Sequence, residues 1–286
     1  NIYDNTAKIK KYNNESGLLS DYYVGQKLGE IWGYVSDGYY PIDDFVLDDA
    51  KRDVWTLKEG VTSIQGVKVQ PGDEKFKDFD GDGVISSGAG TVSDPGDRKI
   101  IGNNRARFQF GANIGATYKG FSLDVRLQGV GKRDYWLSGS SIFPFAGSGS
   151  ADAVFQPLFS NQTDYWTAKS YDPENSDYMV AKNPNAKLFR IYDQGNNVGS
   201  NTRVSDKYLQ NAAYLRVKNI TLGYTLPRHW VKHVLMESAR IYVSVENLGT
   251  ISNLPKGYDP EGNTNNAIVW DYPYYRTISI GANITF

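Results

Sequence analysis

Cysteine is absent from all 286 residues, which excludes disulfides and thiolate chemistry. Histidine is scarce as well, with His229 and His233 the two present. Charge of one sign is missing: the net charge is -1, so the chain has no basic excess to serve as an electrostatic footprint for nucleic acid, and nucleic acid is not expected as a partner. No apolar run approaches the ~20 residues of a membrane helix. No Gly-x-Ser-x-Gly occurs and no nucleophile–base pair stands out, so the chain does not read as an enzyme. A mean hydropathy of -0.50 does not exclude a membrane strand protein. Barrels alternate apolar and polar residues and carry wet loops, which averaging hides.

What is abundant points that way. Aromatic residues make up 14%, with 21 Tyr and 29 Gly. Tyr suits interface girdles, and Gly suits turns and smooth lumen walls. The C-terminal run is the clearest pattern. Arg276, Ile278, Ile280, Ala282, Ile284 and Phe286 fall on one side of an extended strand, and Thr277, Ser279, Gly281, Asn283 and Thr285 on the other. One side must meet something apolar and the other water, as in a lipid-facing row opposite a polar lumen.

The same alternation recurs upstream. Residues 107–118 set Phe108, Phe110, Ala112, Ile114, Ala116 and Tyr118 against Arg107, Gln109, Gly111, Asn113, Gly115 and Thr117. Lys119-Gly120 reads as a two-residue hairpin turn, and Phe121, Leu123, Val125 and Leu127 then alternate through 121–132. Further strands are expected over 212–226 and 239–248, with 274–286 closing the run and 1–12 a sixth candidate. Leu215 and Val217 are out of phase with Ile220, Leu222 and Tyr224, which predicts a bulge near Lys218 or a strand rising above the bilayer. With Phe286 at the periplasmic rim, parity puts Lys119-Gly120 and 227–238 inside. Long loops 13–106, 133–211 and 249–273 then fall outside, the arrangement such barrels follow. About six strands are fewer than the roughly eight of the smallest single-chain barrels, so a fragment of a larger barrel is expected. A start at Asn1, with neither Met nor a signal peptide, implies processing or truncation of an exported protein.

Several segments resemble a known family. They are Gly29-Glu-Ile-Trp-Gly-Tyr-Val-Ser-Asp-Gly38, Asp78-Phe-Asp-Gly-Asp-Gly83 followed by Asp97-Arg-Lys-Ile-Ile-Gly102, and Tyr208-Leu-Gln-Asn-Ala-Ala-Tyr-Leu-Arg-Val-Lys-Asn-Ile-Thr-Leu-Gly-Tyr-Thr-Leu-Pro227. Val245-Glu-Asn-Leu248, Gly257-Tyr-Asp-Pro-Glu261 and Tyr272-Pro with Arg276-Thr-Ile-Ser complete the set. In order and across nearly the whole chain, they resemble the SusC/RagA family of TonB-dependent outer-membrane transporters of Bacteroidetes. The resemblance implies an all-β fold, the C-terminal segment of a 22-stranded transmembrane β-barrel. It also implies a plug and a TonB-contacting segment outside this sequence, and energy from the TonB complex. Implied partners are a SusD-like surface lipoprotein, the rest of the barrel, outer-membrane lipid, and an oligosaccharide ligand or, in some members, a peptide. A passive porin-like channel or adhesin, and an outer-membrane hydrolase using His229 or His233, are the readings from other classes.

Asp78, Asp80, Asp82 and Gly83 follow the first half of a calcium loop, with the Val84 carbonyl at its seventh position. Ala89 stands where that loop would end in Glu. The family pattern closes instead with Asp97, and Asp94 is a second option. Calcium would be structural, neutralising crowded carboxylates, and a solvated acidic turn is the alternative. His229, His233 and Glu237 are spaced for one helical face, but the turn after Pro227 fits a short amphipathic helix at a membrane rim better than zinc. Trp136, Tyr165, Trp166 and Trp270 are the candidate substrate-stacking residues, with girdle and loop packing as the alternative. Arg126, Arg216, Arg240 and Glu246 are expected on the lumen side, lining the solute path or opposing one another across the wall.

Overall fold

The computed structural model describes residues 1–47, 55–139, 142–143, 158–167, 183–191, 198–262 and 275–286. Early strands are short: β1 (Ile2–Tyr3), β2 (Glu30–Gly33), β3 (Ser36–Tyr39), β4 (Phe45–Leu47), β5 (Trp55–Leu57), β6 (Ser63–Ile64), β7 (Glu74–Phe76), β8 (Val84–Ile85) and β9 (Lys99–Asn103). Two 12-residue strands follow, β10 (Arg107–Tyr118) and β11 (Phe121–Lys132). Then come β12 (Asp134–Trp136), β13 (Leu209–Asn211), β14 (Tyr214–Thr225), β15 (Ser238–Ser252) and β16 (Thr277–Thr285). Two single-turn helices, α1 (Val198–Asn201) and α2 (Arg228–Val231), complete the regular elements used below.

Six strands form one antiparallel sheet in the order β1-β10-β11-β14-β15-β16. Its register aligns the alternating residues into rows. Ala116, Leu123, Leu222, Val243 and Ile280 lie side by side across five strands. Ile114, Val125, Ile220, Val245 and Ile278 form the next apolar row. Between them runs a polar row on the opposite face: Gly115, Asp124, Thr221, Ser244 and Ser279. Cross-strand neighbours sit close enough for each row to act as one surface. The apolar surface is uncovered in this chain, with Ile280 82% and Ile278 66% exposed.

Tight connections gather at one end of the sheet. Lys119 and Gly120 both take positive φ, 47° and 88°, the type I′ geometry whose twist matches that of the strands. Leu226–Glu237 makes the second connection there through α2. At the other end the chain leaves in long excursions. Lys218 is the residue at which the β14 pairing slips; the bulge restores Val217 to the apolar face opposite Leu127. Strand β15 continues to Ser252, beyond the expected end at 248, past a matching irregularity where Asn247 has φ 51°. Strand β1 is much shorter than the candidate strand 1–12. Asp4 leaves the ladder to bind the Arg107 guanidinium at 2.7 Å, the local competition that short polar side chains offer to strand pairing.

The excursions build their own cores. One gathers Tyr34, Tyr40, Phe45, Trp55, Ile64, Phe76 and Ile85. The other gathers Tyr135, Phe143, Trp166, Leu188, Phe189 and Tyr208. Edge-on packing of Phe143 on Tyr208, with centroids 5.0 Å apart, ties distant parts of the chain into the second.

Candidate functional site

The excursion between β7 and β9 carries the acidic loop. Asp78, Asp80 and Asp97 bring carboxylate oxygens within 4.8 Å of one another. Gly81 and Gly83 have φ of 79° and 81°, conformations that a side chain would oppose. These turns aim N–H groups inward: Gly81 and Gly83 donate to Asp78 at 2.6 and 2.8 Å. Those two donors hold the Asp78 carboxyl below its usual range. Asp80 is pushed the other way. The Asp82 N–H lowers it, but burial and the carboxylates of Asp82, Asp97 and Asp78 outweigh that bond.

Asp97 is fully buried and stitches the loop together, accepting from the N–H groups of Phe79 and Ser86, each at 2.8 Å. Asp82 is not part of the three-carboxylate group; it accepts from the Val84 N–H at 2.7 Å. Asp94 also turns elsewhere, accepting from the Ala89 N–H at 2.8 Å. The arrangement offers oxygen ligands alone, the donor set for a hard cation such as calcium. The Val84 carbonyl lies on β8, beside the cluster in sequence.

The polar face of the sheet is the second constituent. Arg216 on β14 is 2% exposed and donates to Thr250 at 2.7 Å and Glu261 at 2.6 Å, and it also pairs with Asp259. Lys218 reaches the same Glu261 at 2.6 Å. Both acids sit beyond the end of β15, so the network clamps the excursion after Ser252 onto the wall. Further along, Arg240 donates to Ser122 at 2.8 Å and comes within 4.0 Å of Asp124. Arg126 donates to Asn113 at 3.3 Å. Gly223 and Gly281 lack the Cβ that would meet Arg240 and Tyr242, so both side chains lie flat across the wall. Glu246 faces Asn219 and Thr277 in register.

The aromatic candidates fall in different settings. Trp166 is 5% exposed with its ring against Gly72, and it belongs to a packed core. Trp136 and Tyr165 are half-buried beside that core. Trp270 lies outside the described residues. His229 is on α2 and His233 in the 3-10 turn that follows; among the described residues, neither belongs to a group able to hold a metal. Trp230 and Leu235 of this turn are exposed at 57% and 87%.

Sequence reading missed the pairing of Arg216 with Asp259 and Glu261, although the Gly257-Tyr-Asp-Pro-Glu261 segment contains both acids. It also missed Glu74, whose side-chain oxygens are buried without a hydrogen bond. Burial pushes its carboxyl up to about 8, eased by the nearby Ser205 hydroxyl, the Lys207 charge and Ser36. No periodic signal marks either.

No family model matches the chain. Among curated proteins, TonB-dependent receptor P3 of Formosa agariphila is 28% identical over 277 residues, 92% of this chain and 22% of that protein. TonB-dependent receptor SusC of Bacteroides thetaiotaomicron is 26% identical over 215 residues, 75% of the chain and 18% of that protein. Over 75–92% of its length the chain is similar to proteins named TonB-dependent receptors, SusC among them. It spans about a fifth of the length of these curated relatives. A solved structure of the RagAB peptide transporter superposes with a TM-score of 0.52 at 20% identity, covering 92% of this chain and 23% of that one. RagAB in its open-open state gives 0.51 at 18% identity, covering 90% and 22%. These likenesses show the fold: the six-stranded sheet matches a segment of a TonB-dependent barrel like that of RagAB.

Proposed function

We propose that the chain forms part of the wall and the outer loops of an outer-membrane importer that takes up oligosaccharides. In this reading the apolar rows face lipid, the polar rows face the lumen, and the long excursions lie on the extracellular side. A SusD-like surface lipoprotein caps the mouth, and the TonB complex supplies energy through a plug. The observation that carries the reading is the pair of continuous rows, apolar on one face and polar on the other, in a SusC-type relative. A lipid-facing row opposite a wet one is the arrangement a bilayer demands of strands. The ion network of Arg216 supports an import role, since it fixes an outer loop at the wall where solute would pass.

The acidic loop holds a calcium ion in this proposal, with Asp78, Asp80 and Asp97 as ligands and Asp82 and the Val84 carbonyl alongside. The ion stiffens the loop and takes no part in chemistry. Chelation is then expected to raise proteolysis within 78–98, and Asp97→Asn is expected to remove the response to calcium.

The import reading is tested by disrupting the encoding gene in its host and measuring growth on oligosaccharides, their monosaccharides, and peptides. Growth is expected to fail on one class of oligosaccharide and persist on the monosaccharides, and to fail likewise when TonB is removed. Failure on peptides instead would replace oligosaccharide with peptide. Uptake independent of TonB would replace the importer with a passive channel.

A further inference from the structure

Beside the acidic loop, residues from five stretches of the chain line an open cavity of about 340 Å³. Trp32, Tyr34, Ser86, Ser87, Arg98 and Arg203 supply its distinctive chemistry. Among the described residues two guanidiniums line it and no carboxylate does, in a chain whose acidic and basic residues nearly balance at 32 and 31. Such a local excess of one charge in a concave wall attracts the opposite charge.

The cavity is built and held in place. The Tyr34 N–H donates to the Val204 carbonyl at 2.8 Å and the Asp206 N–H to the Tyr34 carbonyl at 3.1 Å, so the segment bearing Arg203 is fastened to the end of β2. A Cβ on Gly33 would sit 2.6 Å from the Val204 carbonyl; glycine permits that approach. On the opposite side, Arg98 donates to the carbonyls of Pro95 at 3.1 Å and Ser87 at 2.9 Å. These bonds orient its guanidinium through Nε and Nη2 and leave Nη1 uncommitted among the described residues. Arg203 makes no side-chain hydrogen bond or ion pair there; its guanidinium lies 5.6 Å from the centre of the Tyr34 ring. The Asp97 contacts to Phe79 and Ser86 set the backbone that carries both Arg98 and Ser86.

Two guanidiniums with spare donors suit an oxyanion, which each can grip through parallel N–H bonds. Ser87 and the half-buried Trp32 beside them suit the hydroxyl-bearing ring of a sugar. The volume falls at the small end of ligand pockets. We propose that this cavity is a subsite for an acidic sugar unit, a ring carrying a carboxylate or a sulfate ester, within the imported oligosaccharide. This rests on the oligosaccharide reading above and narrows it.

The test uses the full-length parent protein, purified with its natural partners, and isothermal titration with defined probes: digalacturonate, a sulfated galactose disaccharide, neutral galactobiose, and the dipeptide Asp-Asp. At least one acidic disaccharide is expected to bind about tenfold or more tightly than galactobiose, the order of a charged hydrogen bond. Arg203→Gln is expected to abolish that preference and Arg203→Lys to retain part of it. Arg203 makes no side-chain hydrogen bond or ion pair among the described residues, so its substitution is expected to leave the fold in place, and unchanged melting of both variants checks this. An acidic preference that survives Arg203→Gln, or equal binding of galactobiose, or no binding of either acidic sugar, overturns the proposal. If oligosaccharide-dependent growth nevertheless stands, import survives without this subsite. Binding of Asp-Asp alone, lost in Arg203→Gln, would mean that the cavity reads peptides and that the oligosaccharide reading fails with the proposal.

Discussion

The sheet and the excursions above it satisfy the same backbone by opposite means. In the sheet, five long strands carry their hydrogen bonds in one ladder, and the apolar side chains remain uncovered. Ile280 at 82% and Phe286 at 83% exposure would be a liability in water. In the excursions, strands of two to five residues close small cores around Phe76, Ile85, Phe143 and Phe189, each buried to 1% or less. Polar groups are taken inside as well: the Glu74 N–H donates to the Asn201 side chain at 2.6 Å, and Asn201 donates to Asp73 at 2.9 Å. The wall therefore depends on an outside solvent to cover it, whereas the loops carry their own cores and polar networks. In the proposed importer, one region is organised for a bilayer, the other for water and ligand.

The junction between the two gives the largest expected effect. Arg216→Ala would leave Asp259 and Glu261 against the wall without their buried partner, a loss of about 3–5 kcal/mol for breaking such a pair. The expected readout is rapid proteolysis after Ser252 with the sheet still assembled. Loss of the whole barrel instead would mean that wall and excursion are one cooperative unit.

Within the wall, Ile280→Lys is expected to destabilise the membrane-inserted parent protein by about 2–4 kcal/mol, the cost of a cation on the lipid face near mid-bilayer. Ser279→Lys, one residue away on the polar face, is expected to have little effect in the same urea titration. Equal costs would erase the distinction between the faces.

A third effect concerns pH and belongs to the excursions. Glu74 keeps its proton to about 8 when folded, against 4.5 for the free side chain. The folded state therefore holds more protons between those values, and stability falls as pH rises through that window. Below it the contribution is fully present. Glu74→Gln is expected to flatten the slope, as read from loop proteolysis between pH 5 and pH 8. A slope unchanged by that substitution would assign it to another group.

Legibility in the sequence divides along the same line. A period of two is a local signal, so β10, β11 and β16 stand out wherever both faces have a consistent solvent. The phase break between Val217 and Ile220 marked the Lys218 bulge for the same reason. β1 is shorter than the 1–12 candidate because a local reading does not register the pull of Asp4 toward Arg107, about a hundred residues away. The cores of the excursions follow no period, since Tyr34, Trp55 and Ile85 meet through turns and not along one element. The acidic loop was legible in part. Spacing marked Asp78 and Asp80, and the family pattern marked Asp97, but the turn of Asp82 toward Val84 follows from backbone geometry. Arg98 and Arg203 gave no signal, because their proximity exists only after residues 34 and 204 pair.

The central claim, that the two faces meet different solvents, is open to direct measurement. This chain contributes no thiol background, so single cysteines can replace residues 277–284 of β16 in turn within the parent protein. Labelling intact outer membranes with a charged maleimide is expected to alternate, strong at positions 277, 279 and 283 and weak at 278, 280, 282 and 284, with 281 left as glycine because Tyr242 lies over it. Labelling that is uniform along the strand, or that alternates in the opposite phase, would contradict the account.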